Sequence, residues 1–329
     1  MTTRRQLLAA SLAVTGAMTA WPAAVHAQGA ATDWPAGRPI KIVVPFPAGG
    51  SSDAAGRLVA DKLSQVLKTS VVIDNKGGAG GMIGTDMVAR SAPDGYTLVL
   101  VDVFHTSTPI YTSKMPYHAV NDFTPIAMVG KTPGFLVTHP GFQAKTVQDL
   151  LSWGRANPDR LSVAIAGTGS VVVDLFRARS GVKFVTVPYP GSSRAMVDLM
   201  SGQVNAFITT MTSAGSNVRS GKMVPLAVTG PRRHPDFPNV PTFSEAGVPG
   251  MDYEQWFGLL GPANMPRPVV SRLSSALVEV LRMPDTRQRL NALELEPGNG
   301  SVAEMKAQLE GDYERWQKLA QELNIKPVN

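Results

Sequence analysis

The stretch Ile40 to Asp53, IKIVVPFPAGGSSD, decides how the rest of the chain is read. A short apolar run gives way to two prolines, paired glycines and then Ser51, Ser52 and Asp53 at the opening of a helical pattern. This reads as a strand that turns into a helix N-terminus able to take an anion. Glycines leave backbone amides unobstructed, Ser and Asp suit an N-cap, and a helix N-terminus favours a carboxylate or phosphate by about 0.3 to 2 kcal/mol. Asp74 to Gly84, DNKGGAGGMIG, repeats the arrangement and joins the apolar run Val71 to Ile73 to a second helical pattern. Two amide-rich turns can therefore face one crevice.

Outward from these turns, apolar runs and helical periods alternate. Buried strands are expected at Ile40 to Val44, Val71 to Ile73, Thr97 to Val101, Phe135 to Val137, Leu161 to Ile165, Phe184 to Val187, Ala206 to Ile208 and Val224 to Val228. Helices are expected at Ala54 to Leu67, Ile83 to Arg90, Val147 to Ala156, Val171 to Ala178, Ser193 to Met200 and Ala214 to Ser220. Such alternation implies an α/β fold of mostly parallel sheet with helices on both faces, and ligands beyond the carboxyl ends of the strands. The 329 residues suffice for two domains. After the Pro-rich segment Pro231 to Pro249 come a strand, Tyr253 to Leu260, and two helices, Pro266 to Leu281 and Ser301 to Leu323. Ser301 to Glu304 has capping-box spacing. This tail is expected to pack back on the first domain.

Arg4 and Arg5 precede an apolar stretch, Leu7 to Ala20, too short for a bilayer span of about 20 residues. It reads as an export leader cleaved after Ala27. The run Thr3 to Leu8 resembles a twin-arginine signal, and the ordinary route fits as well. The chain has no cysteine, which excludes disulfides and thiolate metal sites. Its formal charge of +6 is spread out rather than gathered into a nucleic-acid surface. Arg232, Arg233 and His234, between two prolines, read as a solvated loop.

The histidines outside the leader, His105, His118, His139 and His234, are not spaced as metal ligands, so no metal or cofactor is expected. Neither glycine turn has the spacing of a dinucleotide or phosphate loop. One alternative stays open: Gly50-Ser51-Ser52-Asp53-Ala54, between a strand and a helix, is also the context of a hydrolase nucleophile elbow, with Ser52 as the nucleophile.

With these residues laid out, the chain resembles the tripartite tricarboxylate transporter substrate-binding proteins, the Bug family of periplasmic receptors. The resemblance covers nearly the whole chain after the leader. It rests on an ordered set of stretches: Trp34-Pro35, VVPFPAGGSSD ending at Asp53, Asp74-Asn75 with GAGGMIG, Ala92 to Thr97, His105, Pro116-Tyr117, Asp122-Phe123, Asn157-Pro158, Val187 to Tyr189 with Gly191-Ser192, Gly202 to Val204, Leu226 to Thr229, Val240 to Thr242, Glu245 to Gly247 and Trp256 to Leu259.

The resemblance implies a two-domain flytrap of the periplasmic-binding-protein type. Residues 28–129 and 230–329 would form a discontinuous first domain, and residues 130–229 an inserted second one. Hinge strands would lie near 126–131 and 227–230. The ligand carboxylate would be held by the first-strand loop, Pro47, Ala48, Gly49, Gly50, Ser51, Ser52 and Asp53, with Ala79, Gly80 and Gly81 against the same cleft. The other lip would comprise Gly167, Thr168, Gly169, Ser170, Tyr189, Gly191, Ser192 and Thr209. Asp53 is expected to cap its helix, because its charge opposes an anion.

Two departures from the family pattern bear on the ligand. The segment from Ser170 to Phe176, SVVVDLF, is less polar than the family's, and Ile208-Thr209-Thr210 stands where many relatives have an acid. A second lip without a carboxylate favours a dicarboxylate or an aromatic acid over an amino acid. The implied protein is a monomeric, non-enzymatic periplasmic receptor that delivers the acid to membrane permease subunits and contacts no nucleic acid. A carboxylate sensor acting on a membrane signalling partner is a further alternative.

Overall fold

The computed structural model describes residues 34–166 and 170–327. The expected leader, 1–27, and Gly167, Thr168 and Gly169 lie outside them.

Two α/β halves share a sheet in the order β2-β1-β3-β9-β4-β7-β5-β6. In the first half, β1 (Ile40–Val44) pairs in parallel with β2 (Val71–Asn75) and β3 (Thr97–Asp102). In the second half, β5 (Ser162–Ala166) pairs in parallel with β6 (Val185–Tyr189) and β7 (Ala206–Thr210). The strand that joins them, β4 (Phe123–Thr138), has 16 residues. Up to Pro133 it runs antiparallel to β9 (Glu254–Pro262), and from Gly134 it turns to β7 and β8 (Val224–Val228). The sheet is therefore mixed rather than mostly parallel, because both strands that carry the chain between halves run against their neighbours.

The segment 231–250 packs on the second half, where Phe243 meets Phe176, Phe237 meets Phe135 and Gln148 donates to the Ala246 carbonyl, and Arg232 at its start pairs with Glu296.

The first half is covered on one face by α1 (Ser51–Leu67), α8 (Arg267–Arg282) and α9 (Pro284–Ala292). Helix α8 presents Val269, Val270, Leu273, Leu277 and Val280, spaced by three and four residues, to one buried cluster with β1 and β3. The other face holds α2 (Met82–Ala89), the short α3 (Val103–Ser107) and the C-terminal α10 (Val302–Glu322). There Trp256 donates to Asp312 at 2.5 Å and Trp316 to Thr106 at 3.2 Å, which anchors the tail on the first half. The second half carries α4 (Val147–Ala156), α5 (Val171–Ser180), α6 (Ser192–Met200) and α7 (Met211–Arg219). Among the described residues no helix is long and apolar enough to cross a membrane.

Candidate functional site

The carboxyl ends of β1, β3, β5 and β7 meet at a cavity of about 200 Å³ between the halves. Phe46, Pro47, Gly50, Ser51, Ser52, Asp102 and Phe104 line it from the first half; Ser170, Val171, Val172, Gly191, Ser192, Arg194, Ile208 and Thr209 line it from the second. The rims meet closely. A β-carbon at Gly50 would lie 3.6 Å from Ser192 Oγ, and one at Gly191 would lie 3.8 Å from Pro47 Cδ.

Five helices start at this cavity, and two of them, α3 and α7, are capped by the side chains of Asp102 and Thr210. The N-cap residues of the other three are Gly50 for α1, Ser170 for α5 and Gly191 for α6, and none of these three makes a side-chain cap. The caps these three lack are seen on α4, where Thr146 and Asp149 form a full capping box, and on α10, capped by Ser301. A helix leaves its first four amides without an internal partner, and uncapped amides at the positive end of the dipole hold an anion. Gly49 permits the approach by taking a φ of 87°, which a β-carbon would strain.

The expected caps of α1 serve other ends. Asp53 accepts from the Gly49 amide at 2.9 Å, Arg57 Nε at 3.0 Å and Asn75 Nδ2 at 3.0 Å. Burial alone would raise its pKa, but these bonds and the Arg57 charge hold the carboxyl below the usual value. Asp53 thus ties the loop 46–49 to β2, and it does not line the cavity. Ser52 Oγ donates at 2.9 Å to Asp102 Oδ2, not to an imidazole. The nucleophile-elbow alternative therefore lacks its base at this serine. His105, next along the chain, has Nε2 at 2.7 Å from the Ala119 carbonyl, and burial pushes its pKa down to about 4.

The structure brings together Pro47, Gly50, Ser51, Ser52, Ser170, Gly191, Ser192 and Thr209. Ala48, Gly49 and Asp53 shape the loop behind that surface. Ala79 to Gly81 form a 3-10 turn with Gly81 packed behind Phe46 and Pro45, so this second glycine turn supports the first one rather than the cavity wall. Tyr189 donates to Asp198 at 3.0 Å on the second half. Sequence reasoning missed Asp102, Gln255, Phe104 and Arg194. The first is the clearest loss: it ends the apolar run of β3, and its position at a strand's carboxyl end was the available signal.

Away from the cleft, His234, Asp236 and Glu294 bring side-chain atoms within 4.8 Å of one another, a grouping that spacing could not show because Glu294 lies far along the chain. The Arg219 guanidinium pairs with buried Glu294 and supplies the positive charge there. The adjoining cavity, about 420 Å³, is larger than the cleft cavity, but its acids and bases pair with each other, as in Arg232 with Glu296.

Two α/β halves joined by crossing strands, with a small cavity where uncapped helices start, define a protein of the periplasmic-binding-protein class. Within that class the chain belongs to the tripartite tricarboxylate transporter family receptors, whose model matches residues 55–325. The protein BugT of Bordetella pertussis is 33% identical over 297 residues, covering 88% of this chain and 90% of that one. Among solved structures, the R. palustris protein Rpa4515 with adipate is similar, with 33% identity, a TM-score of 0.86, and coverage of 90% of this chain and 100% of that one. The periplasmic binding protein BugD is also similar, with 31% identity, a TM-score of 0.84, and coverage of 88% and 99%.

Proposed function

We propose that this protein is an exported, periplasmic receptor that captures a small organic carboxylate in the cleft and delivers it, as a monomer, to the permease of a tripartite tricarboxylate-type transporter. The observation that carries this reading is the convergence of three uncapped helix starts, α1, α5 and α6, on one cavity. One carboxylate would dock on the amides of residues 50–52. A second would find the start of α6 and Arg194 across the cleft.

Between these ends the walls are apolar: Phe46, Phe104, Val171, Val172 and Ile208. Such walls favour a dicarboxylate or an aromatic acid, and the adipate in the R. palustris relative supports that choice. Mechanistically, the ligand would stabilise the state in which the rims meet, because only there do both halves contribute amides. The leader Met1 to Ala27 and the family support export, and the role is binding rather than hydrolysis.

Thermal unfolding with a panel of di- and tricarboxylates, aromatic acids and acidic amino acids tests this directly. A ligand at about a hundred times its Kd adds about 2.7 kcal/mol, which raises Tm by several degrees. No shift with any acid would overturn the reading.

A further inference from the structure

Two carboxylates flank the start of α1, and one of them has a cation. Asp53 is paired with Arg57 at 3.0 Å. Asp102 is 3% exposed and lines the cavity. Its partners are neutral donors: Ser52 Oγ at 2.9 Å, the Phe104 amide at 3.0 Å and the Gln255 side chain. Gln255 Oε1 accepts from the Tyr253 hydroxyl at 2.7 Å, which leaves the Gln255 amide hydrogens for Asp102. A carboxylate offers about four acceptor positions, so one is left for an occupant of the cavity.

Capping α3 accounts for only one of these bonds. The Ser52 hydroxyl donates its hydrogen to Asp102, so toward the cavity that hydroxyl is left to accept rather than donate. A buried charge without a cation is costly until a donor meets it.

We infer that Asp102 is a specificity-determining residue that selects acids bearing a hydroxyl or ammonium donor on the carbon beside the bound carboxylate. The inference rests on the carboxylate reading above. With the carboxylate on the amides of 50–52, Asp102 stands one hydrogen bond beyond Ser52, close enough for a donor on the adjoining carbon and repulsive to a second carboxylate there. It narrows dicarboxylates and aromatic acids to their donor-bearing members. It also reverses the expectation drawn from Thr209, since the acid missing from the second lip has a counterpart on the first.

Calorimetric titration of the protein and of Asp102→Asn with two matched series tests it: succinate, malate and aspartate; phenylacetate, mandelate and phenylglycine. The wild type should bind the donor-bearing acids of at least one series roughly tenfold or more tighter than the donor-free member, the usual strength of a hydrogen bond to a charged group. Asp102→Asn should shrink that preference to within about threefold. Aspartate above malate would assign the donor as ammonium, and the reverse as hydroxyl. Equal or tighter binding of succinate or phenylacetate by the wild type would overturn the inference and leave the carboxylate reading standing. An equal loss across a whole series in the variant would overturn it too, assigning Asp102 to the positioning of Ser52. Silence with all six acids would overturn the inference, and silence across the wider acid panel as well would overturn the carboxylate reading with it.

Discussion

The two lips of the cleft solve the same problem with different means. The first is a fixed, charged corner. The loop 46–49 is tied down by Asp53, Arg57 and Asn75, and the carboxyl of Asp102 sits in its wall. The second is made of hydroxyls and hydrocarbon: Ser192 Oγ lies 3.4 Å from Ser213 Oγ, Thr210 donates to Ser213 at 3.1 Å, and Val171 and Val172 face the cavity. Among the described residues Arg194 is its only charged lining residue, and that arginine is exposed and paired with Asp198 at 3.3 Å. The difference teaches that affinity for an acid and choice of acid are separable. On the proposed reading, main-chain amides on a braced loop would attract any carboxylate, and the side chains around them would decide which one stays.

Proton linkage should break the comparison most strongly, because the first lip holds the buried carboxyl of Asp102. Burial pushes the Asp102 carboxyl up to about 6. Its native state then holds a proton more tightly than the unfolded chain, so its contribution to stability is full below about pH 4 and lost as pH rises to about 6. His105 runs the other way. With its pKa down at about 4, its contribution is full above about 6.5 and lost as pH falls through 4. The two offset each other in the wild type. Asp102→Asn removes one side, so relative to the wild type it should lose on the order of 3 kcal/mol between pH 7 and pH 4, measured by urea unfolding at each pH. Parallel pH profiles for the two proteins would show that Asp102 is not a buried acid.

Ser51→Pro is the next largest change and tests the first lip alone. Proline is tolerated at the first helical position, and Gly50, with φ −88° and ψ 178°, is already in the extended conformation that precedes proline. The substitution therefore deletes one amide donor with little cost to the helix. Affinity for any bound acid should fall roughly tenfold to a hundredfold, the strength of a charge-assisted bond. A change under about threefold with an unaltered Tm would remove the α1 amides from the account.

Ser192→Pro is the matched change on the second lip, where Gly191 is also extended, at φ −179° and ψ 171°. Its effect should be smaller and selective: about tenfold for acids with two polar ends and near unity for those with one. Equal losses at both lips for every acid would erase the distinction between them. Tyr111→Phe should matter least. Tyr111 donates at 2.6 Å to Asp174 of α5 and so links the halves across the cleft. Its removal should lower affinity by a few-fold through the closed population alone, with the ranking of acids unchanged in a competition assay.

Much of this was legible in the sequence, and the failures have physical causes. Strands that pair in parallel are short apolar runs between turns, which is why β1 and β5 fall where periodicity puts them to within a residue. The first part of β4 was read only as a crossing, because Pro125, Gly130 and Pro133 break the pattern of a buried strand while β9 supplies the partner. Ser51 to Asp53 look like caps in sequence, and the structure turns Asp53 back on its own loop and Ser52 to Asp102. Local composition shows where an anion can be held. It does not show that a carboxyl from residue 102, some fifty positions on, will stand in the same wall.

The central claim is that uncapped helix starts hold an ionised acid. Adipate against its uncharged diamide, adipamide, titrated calorimetrically into the wild-type protein, tests it with size and shape held constant. Adipate should bind at least about a hundredfold more tightly, since each charged end gains an amide cluster that a neutral end gains only weakly. Equal affinity for the two, or preference for adipamide, would contradict it.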